Sequence, residues 1–226
     1  MAPLVSSTHN SQIGISPQHD FLLFLRALQG HPNIIRLIAL CPSWDRYVAV
    51  DSEEFRTTLE EVTLACFGNH FNTIVTPFQE NGDLENIERV LQSGRYPNNW
   101  QQRLKIAIDY ARVISHLHNA GLERNPFSRA LVQKDRKVSQ FLLDDNLALL
   151  LNDVEAMPFA LDDNDIRTDL EFMPVVMRKI FGEANLPASL RNTLNEIYSA
   201  LSAGERPTVA LTAPAILDAL LRAVDF

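Results

Sequence analysis

This chain of 226 residues is poor in cysteine and has neither a long apolar run nor an excess of basic side chains. Its two cysteines, Cys41 and Cys66, do not have metal-ligand spacing, which favours two buried thiols in a reducing compartment. The longest unbroken apolar runs, such as Leu147–Leu151, are much too short to cross a bilayer. The formal net charge of −8 argues against a nucleic-acid-binding surface. We therefore expect no membrane and no nucleic-acid partner.

Residues 1–18 also lack the features of a targeting segment. This stretch is polar and has neither a basic n-region nor an apolar core, so it does not read as a signal peptide. We expect a flexible N-terminal segment and a cytoplasmic protein.

What is present is an ordered series of helix and strand patterns. In the first third, apolar spacing and β-rich runs alternate with turn residues. They predict a helix over 19–30, strands over 33–40 and 45–50, a helix over 52–68, and a strand over 72–78 that ends at the turn-prone segment 79–83.

The rest of the chain is mostly helical in pattern. A long helix begins at the capping residues Asn98 and Asn99 and ends at Gly121. A hairpin of short strands over 140–144 and 147–153 and an acidic loop over 161–169 follow. Three more helices are predicted over 170–182, with a kink at Pro174, 189–204 and 212–224. The fold class that this order favours is α+β, with a small mixed front and a helical rear.

Five segments, in this order and spacing, resemble the protein kinases from about Phe21 to the C-terminus. They are "GHPNIIRLIAL", "NTIVTPFQENGDLENI", "RLKIAIDYARVISHLHNAG", "LVQKDRKVSQFLLDDNLALLLNDVEAMP" and "GERPTVALTAPAILDALL". The resemblance implies a protein-kinase-like fold with a reduced, partly β N-lobe over 19–80 and a mainly α-helical C-lobe over 81–226. Among kinases, the stretch 139–158 is most similar to the divergent protein O-mannose kinase type.

The resemblance assigns roles residue by residue. "QKD" at 133–135 stands where the family has His-Arg-Asp, and "DVE" at 153–155 stands for Asp-Phe-Gly. Such a site uses ATP and Mg²⁺, orients the attacking hydroxyl with a carboxylate and neutralises phosphate charge. The implied residues are Asp135 as catalytic base, Lys137 at the γ-phosphate, Gln140 and Asp153 as metal ligands, and Thr76, Pro77 and Phe78 at the adenine.

Two further residues match architectural positions of the family. Asp169 corresponds to the helix Asp that holds the backbone of the catalytic loop, and Arg206 to the Arg of a C-terminal turn.

The departures from the family pattern are on the nucleotide side. No glycine-rich loop occurs, no Lys precedes Lys105, and Leu22 stands at the position of the Glu that pairs with the strand Lys. One missing charge-assisted phosphate contact costs about 2–4 kcal/mol of transition-state stabilisation.

We therefore expect a kinase-like domain whose phosphoryl transfer to a hydroxyl acceptor is impaired, or depends on an element from outside the chain. The alternative is a non-catalytic pseudokinase that binds a protein partner. A third possibility is that the sequence is part of a longer chain whose leading strands are not included.

Two other patterns have simpler readings. His116 and His118 are two residues apart on a helix and do not face the same way, so we expect no metal pair. The acidic segment 162–169 lacks the Gly and terminal Glu of a calcium loop and reads as a solvated loop.

Overall fold

The structure, a computed structural model, describes residues 30–36, 38–43, 46–49, 73–124, 132–133, 136–152, 163–182, 184–202 and 212–223. The helices predicted over 19–30 and 52–68 lie outside these ranges, except for Gly30. Asp135, Asp153 and Arg206 also lie outside them.

The N-terminal part contains a three-stranded antiparallel sheet. Its strands are β1 (Ala39–Ser43), β2 (Arg46–Ala49) and β3 (Thr73–Val75), in the order β2-β1-β3. Ala39 lies opposite Ala49 on one side and Val75 on the other. The first strand was predicted from Asn33 but begins at Ala39, since residues around Ile34 pair with the distant hairpin instead.

A second, two-stranded sheet is the predicted hairpin. It consists of β4 (Phe141–Leu143) and β5 (Leu149–Leu151), which pair in antiparallel register. The side chain of Asp144 holds the turn by accepting hydrogen bonds from the amides of Asn146 (2.8 Å) and Ala148 (2.7 Å). The first and last residue of each strand are fully buried, so the hairpin is fixed by the core beneath it.

Five α-helices make up most of the remainder. They are α1 (Ile87–Gln92), α2 (Trp100–Arg124), α3 (Asp163–Phe181), α4 (Ala188–Ser202) and α5 (Ala213–Arg222). Two of the predicted N-caps are confirmed: Asn99 accepts from the amide of Gln102 (2.9 Å) and Thr212 from that of Ala215 (3.4 Å).

Two predicted boundaries were wrong. Helix α2 continues past Gly121 to Arg124. The acidic loop predicted over 161–169 is helical from Asp163 onward, and α3 runs without interruption through Pro174 to Phe181. Carboxylates in a first turn stabilise a helix because they face the positive end of its dipole, so the acidic pattern marked a helix start.

Helix α2 is the centre of the core. The apolar face predicted from Leu104 to Ile114 is buried, and so are several other residues between Arg103 and His118. It packs against α5, α3 and β5, and the ring of Tyr110 meets that of Phe141 edge-on at 5.0 Å. The buried side chains of the hairpin and of the helices form one cluster, so the two parts share one core. Burial of each large apolar side chain stabilises the fold by about 1.5–3 kcal/mol.

Helices thus dominate the described residues, beside two small antiparallel sheets, which confirms the expected α+β class with a reduced β portion. Among the described residues, no helix is both long and apolar enough to cross a membrane. The division into segments 1–18, 19–80 and 81–226 stays a prediction.

Candidate functional site

A buried carboxylate on α3 holds the loop that precedes the hairpin. Asp169 is fully buried and accepts hydrogen bonds from the backbone amide of Gln133 (3.0 and 3.3 Å) and from Nε of Arg136 (2.8 Å). The ring of His118, on α2, lies 3.3 Å from its second oxygen. The contact predicted for Asp169 is therefore confirmed, and it fixes the loop on both sides of residues 134–135.

The guanidinium of Arg136 strengthens this anchor. Its NH2 group donates to the carbonyl of Asp165 (3.3 Å), one turn before Asp169 on the same helix. Charge-assisted hydrogen bonds are about twice as strong as neutral ones, and here the carboxylate is withdrawn from water. The loop is thus tied to α3 by its backbone and by a side chain.

The predicted phosphate and metal residues follow immediately. Lys137 is exposed and precedes a short 3-10 turn, Val138–Gln140, whose last amide donates to the Lys137 carbonyl (3.2 Å). Gln140 is half-buried, and its own carbonyl accepts from the amide of Asn152 (2.8 Å). The structure therefore brings Gln140 beside the end of β5, directly before the position of Asp153.

The hairpin is clamped on its β4 side by the segment after the predicted adenine contacts. The amide of Leu143 donates to the carbonyl of Gly82 (2.9 Å), and Asp83 bridges to Leu142. The side chain of buried Asn81 donates to the carbonyl of Asp144 (2.6 Å). This links the 79–83 turn rigidly to the hairpin.

The β5 side is clamped by residues close to the start of the N-terminal sheet. The carbonyl of Asn33 accepts from the amide of Leu151 (2.8 Å), whose carbonyl accepts from the amide of Ile35 (2.9 Å). The buried Asn33 side chain donates to the carbonyl of Leu149 (2.9 Å). The hairpin thus joins the segment before β1, the segment after β3 and the loop held by Asp169.

The three predicted adenine residues lie between β3 and this clamp. Thr76 and Pro77 are half-buried, whereas 88% of Phe78 is exposed. The carbonyl of Pro77 accepts from the side-chain amide of Gln79 (3.2 Å). The segment therefore presents backbone groups and one unburied aromatic ring.

Helix α2 also supports the hairpin through a buried acid. Asp109 accepts from the amide of Leu149 (3.4 Å) and pairs with Arg112 (3.3 Å). Burial raises the pKa of the Asp109 carboxyl above its ordinary value, and the hydrogen bond from Leu149 and the charge of Arg112 oppose that rise only in part. Asp109 is therefore a buried support of β5.

Sequence reasoning missed several of these supports. His118 was given no role beyond the exclusion of a metal pair, yet it is buried against Asp169. Its position four residues after Ile114 continues the apolar stripe of α2, and that spacing was the available signal. Arg136, Asn33 and Asn81 gave no comparable signal, because their partners are distant in sequence.

The two neighbouring histidines do face different ways, as predicted. His116 stacks on His31 at 4.4 Å between ring centroids, while His118 meets Asp169. In the described ranges, no group of three or more His, Cys, Asp or Glu side chains could hold a metal. Gln140 and Asp153 carry oxygen atoms of the hard type that Mg²⁺ prefers, and their role as its ligands stays a prediction.

No protein-family model matches the chain. Similar proteins include the protein O-mannose kinases of Macaca fascicularis (34% identical over 102 residues, 43% of this chain) and Xenopus laevis (29% over 147 residues, 62%). A probable serine/threonine-protein kinase of Arabidopsis thaliana is 26% identical over 127 residues, 56% of this chain. These matches cover 28%, 33% and 23% of the respective relatives, so the chain corresponds to no more than about a third of each.

With the loop anchor and the clamped hairpin, these similarities define the class: the chain contains a divergent protein-kinase-like domain. Its ancestry is that of kinase-like phosphoryl transfer. Four of the similar proteins carry the name protein O-mannose kinase, in agreement with the resemblance of the stretch 139–158.

Proposed function

We propose that this domain binds ATP with Mg²⁺ beside the hairpin and that its phosphoryl transfer to a hydroxyl acceptor is impaired. The observation that carries the proposal is the grip of Asp169 on Gln133 and Arg136, the residues on either side of "KD" at 134–135. A carboxylate that orients a nucleophile must be held within a fraction of an ångström. An anchor on both sides of residues 134–135 would hold Asp135 in this way.

In this proposal each residue has one role. Asp135 accepts the proton of the acceptor hydroxyl as its oxygen forms a bond to the γ-phosphorus, and the bond from that phosphorus to the ADP oxygen breaks. Lys137 contacts the transferred group, and Thr76, Pro77 and Phe78 border the adenine. A bound Mg²⁺ would neutralise phosphate charge.

The metal ligands are supported by the backbone pairing at the end of the hairpin. Asn152 donates to the carbonyl of Gln140 (2.8 Å), and Asp153 is the next residue along the chain. This supports Gln140 and Asp153 as a shared pair of oxygen donors.

The impairment is proposed from what the sequence lacks. Within the given sequence no Lys precedes Lys105 and no glycine-rich loop occurs, so in this chain alone the α- and β-phosphates would lack two sets of donors unless an outside element supplies them. At about 2–4 kcal/mol for each lost contact, transfer would slow by several orders of magnitude.

A melting experiment tests the nucleotide site. We expect ATP with Mg²⁺ to raise the melting temperature, because a ligand at about 100 times its Kd adds about 2.7 kcal/mol to stability. Asp153→Ala should erase the shift. Asp145→Ala removes an exposed carboxylate from the hairpin turn and should keep it. A wild-type protein that shows no shift at millimolar ATP would contradict the proposal.

The alternative is a non-catalytic module that binds a protein partner. The ring of Phe78, which is 88% exposed, favours it, because aromatic side chains are enriched at protein–protein interfaces. In that case Phe78→Ser would weaken partner binding, while ATP would leave the melting temperature unchanged. The expected cytoplasmic location stays a prediction that cell fractionation tests.

A further inference from the structure

A second site is suggested by a cavity of about 740 Å³ between α1, the start of α2 and the end of α3. This volume lies within the range of about 300–1,000 Å³ of small-molecule sites. Its walls include the cations Arg103, Arg178 and Lys179, the carboxylate of Glu88, and four side-chain amides.

The cavity lies far from the candidate phosphoryl-transfer site. Helices α2 and α3 are antiparallel, since His118 meets Asp169 at one end and Arg103 donates to the Ile180 carbonyl (2.7 Å) at the other. Fifteen residues of α2 separate the two contacts, which is about 22 Å along a helix. A ligand in the cavity would therefore not reach Asp169 or the loop that it holds.

One cation of the cavity is already neutralised. Arg103 is buried and donates to both oxygens of Glu88 (2.7 and 2.8 Å), and it also contacts Asn98 (3.2 Å). The Arg103 hydrogen bond is the main reason why the pKa of Glu88 lies below its ordinary value. Gly182 permits this arrangement, because a Cβ there would lie only 2.6 Å from the Glu88 carboxylate. The pair forms a fixed, neutral wall.

The other two cations are Arg178 and Lys179, and the charge of Lys179 contributes to the lowered pKa of Glu88. Within the described ranges, neither Arg178 nor Lys179 has a carboxylate at salt-bridge distance. The guanidinium of Arg178 is held over the ring of Tyr198 at 4.9 Å. The cavity thus has an excess of two positive charges, one of them positioned by stacking.

The start of α2 adds a further positive contribution to the same cavity. Asn98, Asn99 and Trp100 line it, and the first turn of this 25-residue helix contains no acidic side chain. The positive end of the helix dipole is therefore not compensated there.

We propose that this cavity binds a small molecule through a phosphate group, present either as a free phosphate or as a phosphate ester. Two cations, a helix start and several amide donors surround space for one such group and the atoms attached to it. The site is separate from the proposed ATP site and does not depend on it.

Calorimetric titration tests the proposal with two probes, sodium phosphate for free phosphate and glycerol 2-phosphate for an ester. EDTA is present to remove Mg²⁺, and ionic strength is held constant with NaCl. We expect at least one probe to bind with a Kd of about 1 mM or tighter. Arg178→Gln and Lys179→Gln should each weaken it about tenfold, by loss of a charge-assisted hydrogen bond. Arg222→Gln removes one exposed charge from α5 as a matched control and should change the Kd less than twofold.

Trp100 supplies a local signal, because it lines the cavity and the chain contains only one other tryptophan, Trp44. In Trp44→Phe protein, the probe should change the remaining fluorescence. If Arg178→Gln does not fold because the Tyr198 contact is lost, Lys179→Gln decides. The proposal would be overturned if neither probe showed saturable binding at 10 times the expected Kd. It would also be overturned if Lys179→Gln and wild type bound the probe equally well. In that case Arg178 and Lys179 serve only the C-terminal end of the α3 dipole.

Discussion

Replacing Asp169 by Ala gives the sharpest test of the loop anchor. The substitution leaves three donors without their acceptor: the amide of Gln133, Nε of Arg136 and the ring of His118. Gln133 and His118 are buried, and water cannot replace the carboxylate without a rearrangement. Removing one partner of a buried charged pair costs about 3–5 kcal/mol, and we expect Asp169→Ala to lower the free energy of unfolding by that amount.

The matched control lies two residues further along the same helix. Glu171 is 47% exposed and pairs with Arg167 across one turn at 3.3 Å. An exposed pair of this type contributes about 0–1 kcal/mol, so Glu171→Ala should have little effect. The difference between the two variants isolates the anchor from any change in helix propensity.

Urea unfolding followed by circular dichroism gives both free energies, and hydrogen exchange gives the local effect. In Asp169→Ala, the amide of Gln133 should lose its protection, while the amides of the α2 core keep theirs relative to global stability. Asp169→Asn, which keeps one acceptor oxygen, should fall between wild type and Ala. Asp169→Ala and Glu171→Ala with the same stability, or an unchanged exchange rate at Gln133, would refute the reasoning.

Three further predictions concern the core and pH. Phe141→Ala should cost about 3–5 kcal/mol in urea unfolding, because it empties a fully buried site beside Tyr110, and Phe78→Ala, at an exposed ring, should cost about 0.5 kcal/mol or less. The pKa of Asp109 is raised in the folded state, so the folded chain binds more protons than the unfolded chain above pH 3.8. Stability should therefore fall as pH rises from 3.8 toward the raised pKa. Asp109→Asn should flatten that part of the pH profile. The pKa of His31 is lowered from 6.5 to about 4, chiefly by burial and then by the charge of His116. Stability should therefore fall as pH drops from 6.5 to 4. The fall should be smaller in His31→Asn. A pH profile that is the same in wild type and in either variant would contradict the assigned group.

The patterns that were read correctly are local in origin. The hairpin followed from alternating apolar residues around a turn with Asp144, and the α2 and α5 starts followed from Asn99 and Thr212. The strand over 33–40 failed because Asn33 and Ile35 pair with Leu151, which is more than a hundred residues away and invisible to a local pattern.

The candidate site divides in the same way. Asp169 was identified from a family resemblance, and its hydrogen bond to the Gln133 amide confirms it. His118 and Arg136 were not assigned to that carboxylate, because each contact depends on how two helices and a loop meet.

The sequence by itself determined the order of helices and strands, the caps, and the kinase-like order of polar residues around the hairpin, since all of these depend on near neighbours along the chain. Only the tertiary structure decided which buried polar groups share Asp169, which segments clamp the hairpin, and which charged side chains line one cavity. Those outcomes depend on packing between distant segments. A buried charge or amide without a partner raises the free energy of the folded state, so the arrangement that pairs these groups is favoured.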